Sequence, residues 1–247
     1  MTPEGTPLES FDLLIVPAHD LTRYPALRRK KNVLATTGSP NRITQDVLKR
    51  GAAELARALP HAATEKVAAG ILVGGNDQNY EISAEWAEKL LAALTHVSRR
   101  SGAVYLLTTS RRTSAETRRR LDERTAANPA FLYREFPGIT PNSHYLGILG
   151  LSSVLLVTED SINMVSESCS SGRPVVVLGV GRRKKRLVFD ETIARLEADG
   201  CCTYLPAEQM EQLPAVIERA RARTPHILNE AERCTREILR MLTQNAS

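Results

Sequence analysis

Eight short apolar runs recur along the chain, and each is followed by a polar or glycine-containing turn and then by a helical pattern. The runs are almost continuously apolar, which is typical of strands covered on both faces of a parallel sheet. Their sequences are DLLIV (12–16), NVLAT (32–36), VAAGILV (67–73), AVYLLT (103–108), AFLYR (130–134), SVLLV (153–157), PVVVL (174–178) and CCTYL (201–205). This alternation predicts an α/β fold with Rossmann-like, doubly wound parallel sheets.

Helical patterns fill most of the intervals between the runs, and a last pair of helices follows the eighth run. They cover residues 42–58, 83–100, 113–126, 144–150, 161–171, 187–199, 208–222 and 227–244. Six runs follow residue 62, enough for a complete Rossmann-like unit, whereas only two precede it. We therefore predict that residues 1–61 are the remnant of an N-terminal domain whose beginning is missing, and that residues 62–247 form a C-terminal Rossmann-like domain.

Composition narrows the classes of function. Lys and Arg number 33 against 28 Asp and Glu, a mild basic excess that favours anionic ligands. Aromatic residues make up 4% of the chain, too few for the stacking platforms of a single-stranded nucleic-acid binder. The four cysteines show no CxxC spacing, so we predict neither a metal site nor a disulfide framework.

The N-terminal segment has no basic region followed by a long apolar region, and nowhere do 18 apolar residues run together. Acidic residues within the first ten positions also argue against a mitochondrial presequence, which is usually rich in arginine and poor in acids. These observations predict a cytoplasmic protein.

Two of the predicted strands end in residues suited to binding phosphate, and ligands bind at the carboxyl ends of strands in an open parallel sheet. Gly74 and Gly75 would let the backbone approach a ligand closely, with an ordinary tight turn as the alternative. Ser110 and Arg111 offer a hydroxyl and a cationic fork that matches phosphate geometry. The alternative there is that Thr113 caps a helix and that the arginines are simply solvated.

A third strand end opens the stretch TEDSINMVSES, residues 158–168. Ser161 is placed to cap the following helix, which would leave backbone N–H groups free for a phosphate. Glu159 and Asp160 have an alternative interpretation as ordinary partners of the helix dipole. Glu167 lies one helical turn beyond Asn163 on the same face, where a carboxylate can accept hydrogen bonds from both hydroxyls of a ribose.

These motifs together resemble the mitochondrial fission Elm (elongated mitochondria) family. The resemblance runs from about residue 11 to 205, and its most specific element is DSINMVSES followed by SGRPV; it also includes ILVGGNDQN, LLTTSRRT, NSHYLGILGLSSVLLV, DLLIVPAHD and NVLATTGSPNRI. It implies the two-domain GT-B fold and a glycosyltransferase that transfers a sugar from a nucleotide-diphosphate sugar, its donor substrate, to an acceptor. No further cofactor is implied.

The same resemblance implies roles for particular residues. Glu167 would hold the ribose; Asp160, Ser161, Asn163 and Met164 would line the donor pocket, and Gly74, Gly75, Ser110 and Arg111 would lie near the diphosphate. Such enzymes often need no metal, because helix N–H groups and cationic side chains offset the charge of the leaving diphosphate. The base that activates the acceptor would come from His19 or Asp20, after the first run, where a surface turn is the alternative.

Other interpretations remain open at this level. Plant members of the family are implicated in recruiting fission machinery, so a non-catalytic interaction protein is the main alternative function. A Rossmann-type dehydrogenase or epimerase would predict a GxGxxG fingerprint, which is not present. The five cations Arg182 to Arg186 predict either a solvated loop or contact with an anionic membrane surface or a phosphorylated acceptor, which would make the protein peripheral at a membrane.

Overall fold

The computed structural model describes residues 7, 10–60, 67–137 and 143–245, and its ten strands account for all eight apolar runs. The bounds differ from the predicted ones by no more than two residues. The strands are β1 (Leu14–Pro17), β2 (Val33–Thr36), β3 (Val67–Val73), β4 (Tyr80–Glu81), β5 (Val104–Thr109), β6 (Phe131–Glu135), β7 (Val154–Thr158), β8 (Val175–Leu178), β9 (Gly181–Arg182) and β10 (Thr203–Leu205).

The predicted helices are present, and one more follows the first strand. The helices are α1 (Ala18–Arg23), α2 (Gln45–Arg57), α3 (Ala84–Ser101), α4 (Ala115–Ala126), α5 (Tyr145–Leu151), α6 (Ile162–Ser170), α7 (Asp190–Ala198), α8 (Leu213–Arg221) and α9 (Glu230–Asn245). Short 3-10 helices cover Pro25–Arg29 and Ala207–Gln212. Helix α1 and the short β4–β9 ladder were not predicted, because each is too short to show a period.

Six parallel strands form the main sheet, in the order β10–β8–β7–β3–β5–β6. From β3 the chain adds β5 and β6 on one side of the sheet and then β7, β8 and β10 on the other. The crossover helices therefore cover both faces. Strands β1 and β2 form a separate parallel pair, and β4 pairs with β9 in antiparallel fashion. The predicted α/β class with parallel sheets is confirmed.

Helix α2 packs into the hydrophobic core of the main sheet although it was predicted to belong to the N-terminal remnant. Its Leu48 and Leu55 are buried with Ile148 of α5 and with side chains of the sheet. A Cβ atom added to Gly147 would lie 2.5 Å from the Cβ of Leu55, so glycine is what allows α2 and α5 to approach so closely. The division into two domains remains a prediction, but the packing places α2 with the larger unit.

The β1–β2 pair is joined to the rest of the molecule at two places. Helix α1 packs beside α7, where Thr22 donates a hydrogen bond to Glu191 at 3.1 Å. At the other place, the backbone N–H of Thr37 donates to the Glu230 carboxylate at 2.9 Å, and Arg233 of α9 donates to the carbonyl of Ala35. The last helix therefore returns to the smaller sheet.

Truncating Leu55 tests whether α2 is part of the main core. We expect Leu55→Ala to lower the free energy of unfolding by about 2–5 kcal/mol, because a fully buried leucine leaves a cavity. Leu239→Ala is the matched control, since Leu239 is 56% exposed and its truncation should cost no more than about 0.5 kcal/mol. Equal effects in urea unfolding would contradict the packing of α2 described above.

Candidate functional site

The three strand ends that carry the predicted site residues are neighbours in the main sheet. Strand β3 lies between β7 and β5, and all three run in the same direction. Their carboxyl ends therefore share one edge, which brings the Gly74–Gly75 turn, the Ser110–Arg111 turn and the start of α6 together. This is the edge at which open parallel sheets bind ligands.

The Gly74–Gly75 turn is held by the strand next to it. The N–H of Gly74 donates to the Thr158 hydroxyl at 2.8 Å, and the N–H of Gly75 donates to the Asp160 carboxylate at 2.8 Å. A Cβ on Gly74 would overlap that carboxylate, and one on Gly75 would overlap the backbone of Arg112. Close approach of protein atoms therefore requires glycine at these two positions.

Asp160 is buried, and both of its oxygens have protein partners. Thr158 donates to Oδ1 at 2.6 Å, while the N–H of Gly75 and the Arg112 guanidinium, at 3.2 Å, donate to Oδ2. Burial raises the pKa of Asp160, and the Thr158, Gly75 and Arg112 contacts oppose that rise. The side chain thus joins three strand ends.

The turn after β5 leaves Arg111 exposed, whereas Arg112 is paired. Arg112 keeps 45% of its side chain exposed, but it is paired, lying 3.2 Å from Asp160 and 3.7 Å from Asp77. The Ser110 hydroxyl accepts a hydrogen bond from the N–H of Arg112 at 3.1 Å. Arg111 has no ion pair or hydrogen bond from its side chain within the described residues, which leaves its charge available at the sheet edge.

Helix α4 begins one residue later than the alternative interpretation assumed. Ser114 is the capping residue, and its hydroxyl accepts from the N–H of Thr117 at 3.1 Å. Thr113, the predicted cap, instead donates its hydroxyl proton to the carbonyl of Gly74. The predicted capping role of Thr113 is therefore wrong, because its hydroxyl is used to join the turns after β3 and β5.

Glu159 is fully buried and binds Arg182, the first cation of the basic run. One carboxylate oxygen accepts from the N–H of Val180 at 2.9 Å and from Nε of Arg182 at 3.0 Å. The other accepts from Nη2 of Arg182 and, at 3.2 Å, from the hydroxyl of Tyr204. Arg182 also lies 2.9 Å from Asp190. Arg182 is therefore paired and not simply solvated, and Glu159 joins the end of β7 to the loop after β8.

The start of α6 offers backbone N–H groups that have no protein acceptor. Ser161 occupies the capping position, but its side chain makes no capping hydrogen bond, so this part of the prediction is wrong. Within the described residues nothing accepts from the N–H groups of Ile162, Asn163 or Met164. Asn163 is exposed and Met164 is half-buried, so these amides lie where an anion can approach.

Glu167 lies on the second turn of α6 and has one protein partner, Tyr145. The Tyr145 hydroxyl donates to Oε2 of Glu167 at 2.7 Å. Burial raises the pKa of Tyr145 well above its usual range, and the Glu167 carboxylate raises it further, so the phenol keeps its proton. Oε1 has no partner among the described residues, which leaves it able to accept hydrogen bonds from a ligand.

A buried carboxylate that was not predicted from the sequence joins the end of β6 to the residues directly before α5. Glu135, at the end of β6, accepts hydrogen bonds from Thr108 at 3.1 Å, Ser143 at 2.9 Å and the N–H of His144 at 2.7 Å. Tyr133 donates to the same carboxylate at 3.1 Å. The available signal in the sequence is that Glu135 directly follows the apolar run AFLYR, which is where a strand-end residue is expected.

The two proposed base residues begin the short helix α1 and do not form a surface turn. The His19 ring is buried, with Nδ1 3.1 Å from the Thr192 hydroxyl and the ring edge against Phe189. Asp20 keeps 21% of its side chain exposed, and its carboxylate lies 3.9 Å from Nε2 of His19. Both therefore lie at the contact between the smaller sheet and α7, and not beside Glu167.

Two further observations concern metals and membranes. In the described ranges, no three His, Cys, Asp or Glu side chains converge in a way that could hold a metal ion. None of the helices within those ranges has the length and apolar content needed to cross a bilayer.

Breaking the Glu159–Arg182 pair tests its structural importance. We expect Arg182→Met to lower the free energy of unfolding by about 3 kcal/mol, because it leaves a buried carboxylate without its cation. Adding Glu159→Gln should recover a substantial part of that loss. Arg183→Met, which removes an exposed cation next to it, is the control and should cost no more than about 0.5 kcal/mol. Additive effects in the double-mutant cycle would contradict direct coupling.

Comparison with known proteins agrees with this architecture. The chain is 29% identical over 197 residues to "Mitochondrial fission protein ELM1" of Arabidopsis thaliana, covering 73% of this chain and 45% of that protein. It is 21% identical over 255 residues to "Uncharacterized protein RP120" of Rickettsia prowazekii (strain Madrid E), covering 87% of this chain and 70% of that protein. The chain thus spans less than half the length of the Arabidopsis relative.

Two solved structures of similar fold are sugar enzymes by name. UDP-GlcNAc 2-epimerase from Methanocaldococcus jannaschii matches with a TM-score of 0.57 and 14% identity, over 92% of this chain and 62% of that one. α,α-Trehalose 6-phosphate synthase from Burkholderia multivorans matches with a TM-score of 0.51 and 15% identity, over 85% of this chain and 46% of that one. At these identities the likeness shows the fold alone.

The family model described as mitochondrial fission ELM1 matches residues 1–242, nearly the whole chain. The fold, the motifs at the strand ends and this match agree with one another. The chain belongs to the mitochondrial fission ELM1 family.

Proposed function

We propose that the chain binds a nucleotide-diphosphate sugar at the carboxyl edge of the main sheet and serves a glycosyltransferase reaction. The observation that carries the proposal is the start of α6, where three backbone N–H groups have no acceptor among the described residues. Glu167 follows on the next turn, with one oxygen that is likewise without a partner there. Unpaired amides bind phosphate oxygens, and a carboxylate accepts from the hydroxyls of a ribose.

The diphosphate would lie between the start of α6 and the turn after β5. The amides of Ile162, Asn163 and Met164 would face it from one side, and the unpaired guanidinium of Arg111 would face it from the other. Ser110 supplies a hydroxyl at the same turn. These groups would offset the charge of the leaving diphosphate without requiring a metal ion.

The structure narrows the set of residues proposed to touch the ligand. Gly74, Gly75 and Asp160 are engaged with one another and with Arg112, so we assign them to holding the edge in shape. Tyr145 keeps Glu167 in position through its 2.7 Å hydrogen bond. Ser161, Asn163, Met164 and Glu167 then form the part of the site proposed to face the donor.

Acceptor activation would come from the smaller sheet in this proposal. Of the two candidates, the His19 ring is buried against Phe189, whereas Asp20 remains partly exposed. We therefore assign the base to Asp20 and give His19 the role of fixing α1 against Thr192. Solved structures of similar fold contain UDP-GlcNAc, which supports a nucleotide sugar as the ligand class.

An interaction protein without catalytic activity is the second candidate. The observation that favours it is a row of exposed apolar side chains on the last helix, formed by Ile238, Leu239 and Leu242. Exposed apolar rows of this kind commonly mark contacts with other proteins. Nucleotide binding separates the two, because an interaction surface on α9 makes no use of the amides of α6.

Replacing Glu167 tests the proposed ribose contact. We expect UDP or GDP to bind the wild-type chain in calorimetry and to raise its melting temperature. Glu167→Ala should weaken that binding by about 1.5–3 kcal/mol, about 10- to 150-fold in Kd, because a charged acceptor of hydrogen bonds is lost. The fold should remain intact, since Glu167 is only partly buried.

Glu211→Ala provides the matched control. Glu211 is exposed on the 3-10 helix Ala207–Gln212 and has no partner within the described residues, so its loss should leave the Kd unchanged. If neither nucleotide binds, or if both variants bind as tightly as the wild type, the proposed donor site is wrong.

A further inference from the structure

Two basic runs that are far apart in sequence lie on the same side of the molecule. The chain contains the tetrapeptide RRKK twice, at residues 28–31 and at residues 182–185, and Arg186 extends the second copy. The first copy begins in the 3-10 helix Pro25–Arg29 of the smaller sheet, and the second begins in β9 and continues into the loop that leads to α7.

A short hydrogen-bonded chain joins the two runs. Arg28 donates to the Thr22 hydroxyl at 3.3 Å, and that hydroxyl donates to Glu191 at 3.1 Å. Glu191 is five residues beyond Arg186 at the start of α7, and the nearby His19–Thr192 contact fixes α1 against the same helix. The contact between α1 and α7 therefore joins the start of the first run to the helix that directly follows the second run, across the junction of the two sheets.

Most of the cations on this surface have no acidic partner. Arg182 is neutralised by Glu159 and Asp190, Arg183 lies 3.9 Å from Glu81, and Arg28 is close to Glu191 through Thr22. The exposed side chains without any ion pair within the described residues are Arg29, Lys31, Lys184, Lys185 and Arg186. Five unpaired cations on one exposed surface generate a local positive potential that the mild net charge of the chain does not reveal.

The chemistry of the surroundings favours a lipid surface over a nucleic acid. Tyr24, four residues before the first run, is 42% exposed, and Pro25 and Ala26 next to it are also exposed. A tyrosine with an apolar ring and a polar tip suits the headgroup region of a bilayer. Single-stranded nucleic acid needs several exposed aromatic faces, and Tyr24 is the one exposed aromatic residue among those described.

We propose that Arg29, Lys31, Lys184, Lys185 and Arg186, with Tyr24 beside them, form a surface that docks the protein on an anionic lipid bilayer. Phospholipid headgroups are the ligand, and the two runs act together because the α1–α7 contact holds them on one side. Arg182 connects this surface to Glu159, three residues before the start of α6, so docking would bring a lipid-linked acceptor near the sheet edge. Only that last consequence rests on the proposed function.

Vesicle flotation with the full chain tests the proposal. The protein should float with vesicles of phosphatidylcholine and phosphatidylserine, should not float with phosphatidylcholine alone, and should be released as the salt concentration rises and the Debye length falls from about 8 Å to about 3 Å. The triple variant Lys184→Gln, Lys185→Gln, Arg186→Gln should weaken partitioning about 100-fold, at about fivefold per cation. Arg29→Gln with Lys31→Gln should weaken it about 25-fold if both runs contact the bilayer.

The matched control removes three exposed arginines elsewhere. Arg219, Arg221 and Arg223 lie at the end of α8 and just beyond it, and their replacement by glutamine should leave partitioning almost unchanged. Nucleotide binding measured on the triple variant should equal that of the wild type, which separates a failure of docking from a failure of the donor site.

Three results would overturn the proposal. The first is equal loss in the control and the triple variant, which would show a general charge effect. The second is displacement by inorganic phosphate at matched ionic strength, which would show a free-phosphate site. The third is displacement by single-stranded RNA at concentrations where vesicles remain in excess, which would show a nucleic-acid surface.

Discussion

Two consecutive buried carboxylates at the end of β7 hold the carboxyl edge of the main sheet together. Glu159 and Asp160 are removed from water, and a buried charge is tolerated only when cations and hydrogen-bond donors surround it. Glu159 binds the loop after β8 through Arg182, and Asp160 binds the turns after β3 and β5 through Gly75 and Arg112. One dipeptide thus sets the positions of the neighbouring strand ends, and α6 begins immediately beyond it.

The strands could be predicted from the sequence because a parallel sheet covered on both faces requires uninterrupted apolar runs, and such runs are legible without a structure. The β4–β9 ladder could not, because its two-residue strands Tyr80–Glu81 and Gly181–Arg182 carry no period. The packing of α2 was also hidden. Its apolar face is visible in the sequence, but the identity of the core it joins depends on Gly147 of a helix about ninety residues away.

The site shows the same division between what topology dictates and what packing dictates. The convergence of Gly74, Ser110 and Ser161 follows from strand direction and sheet order, so a sequence that reveals the strands also reveals the edge. The partners of the acids do not follow, since Asp160 meets Arg112 across 48 positions and Glu159 meets Arg182 across 23. The pattern of residues therefore locates the site but does not separate side chains that support it from those that face a ligand.

Hydrogen-bond satisfaction supplies that missing distinction. A polar group whose capacity is used by the protein gains little from a ligand, whereas a group without a partner at an exposed edge is stabilised by one. By this criterion Asp160 supports the site, and Arg111, the amides at the start of α6 and one oxygen of Glu167 face outward. By the same criterion, Arg182 is not part of the basic surface, whereas Lys184 and Lys185 are. Residues that support the edge and residues that face outward are thus often adjacent in the chain. The reason is that each strand end must be held by its neighbours at the same positions where it presents groups without partners.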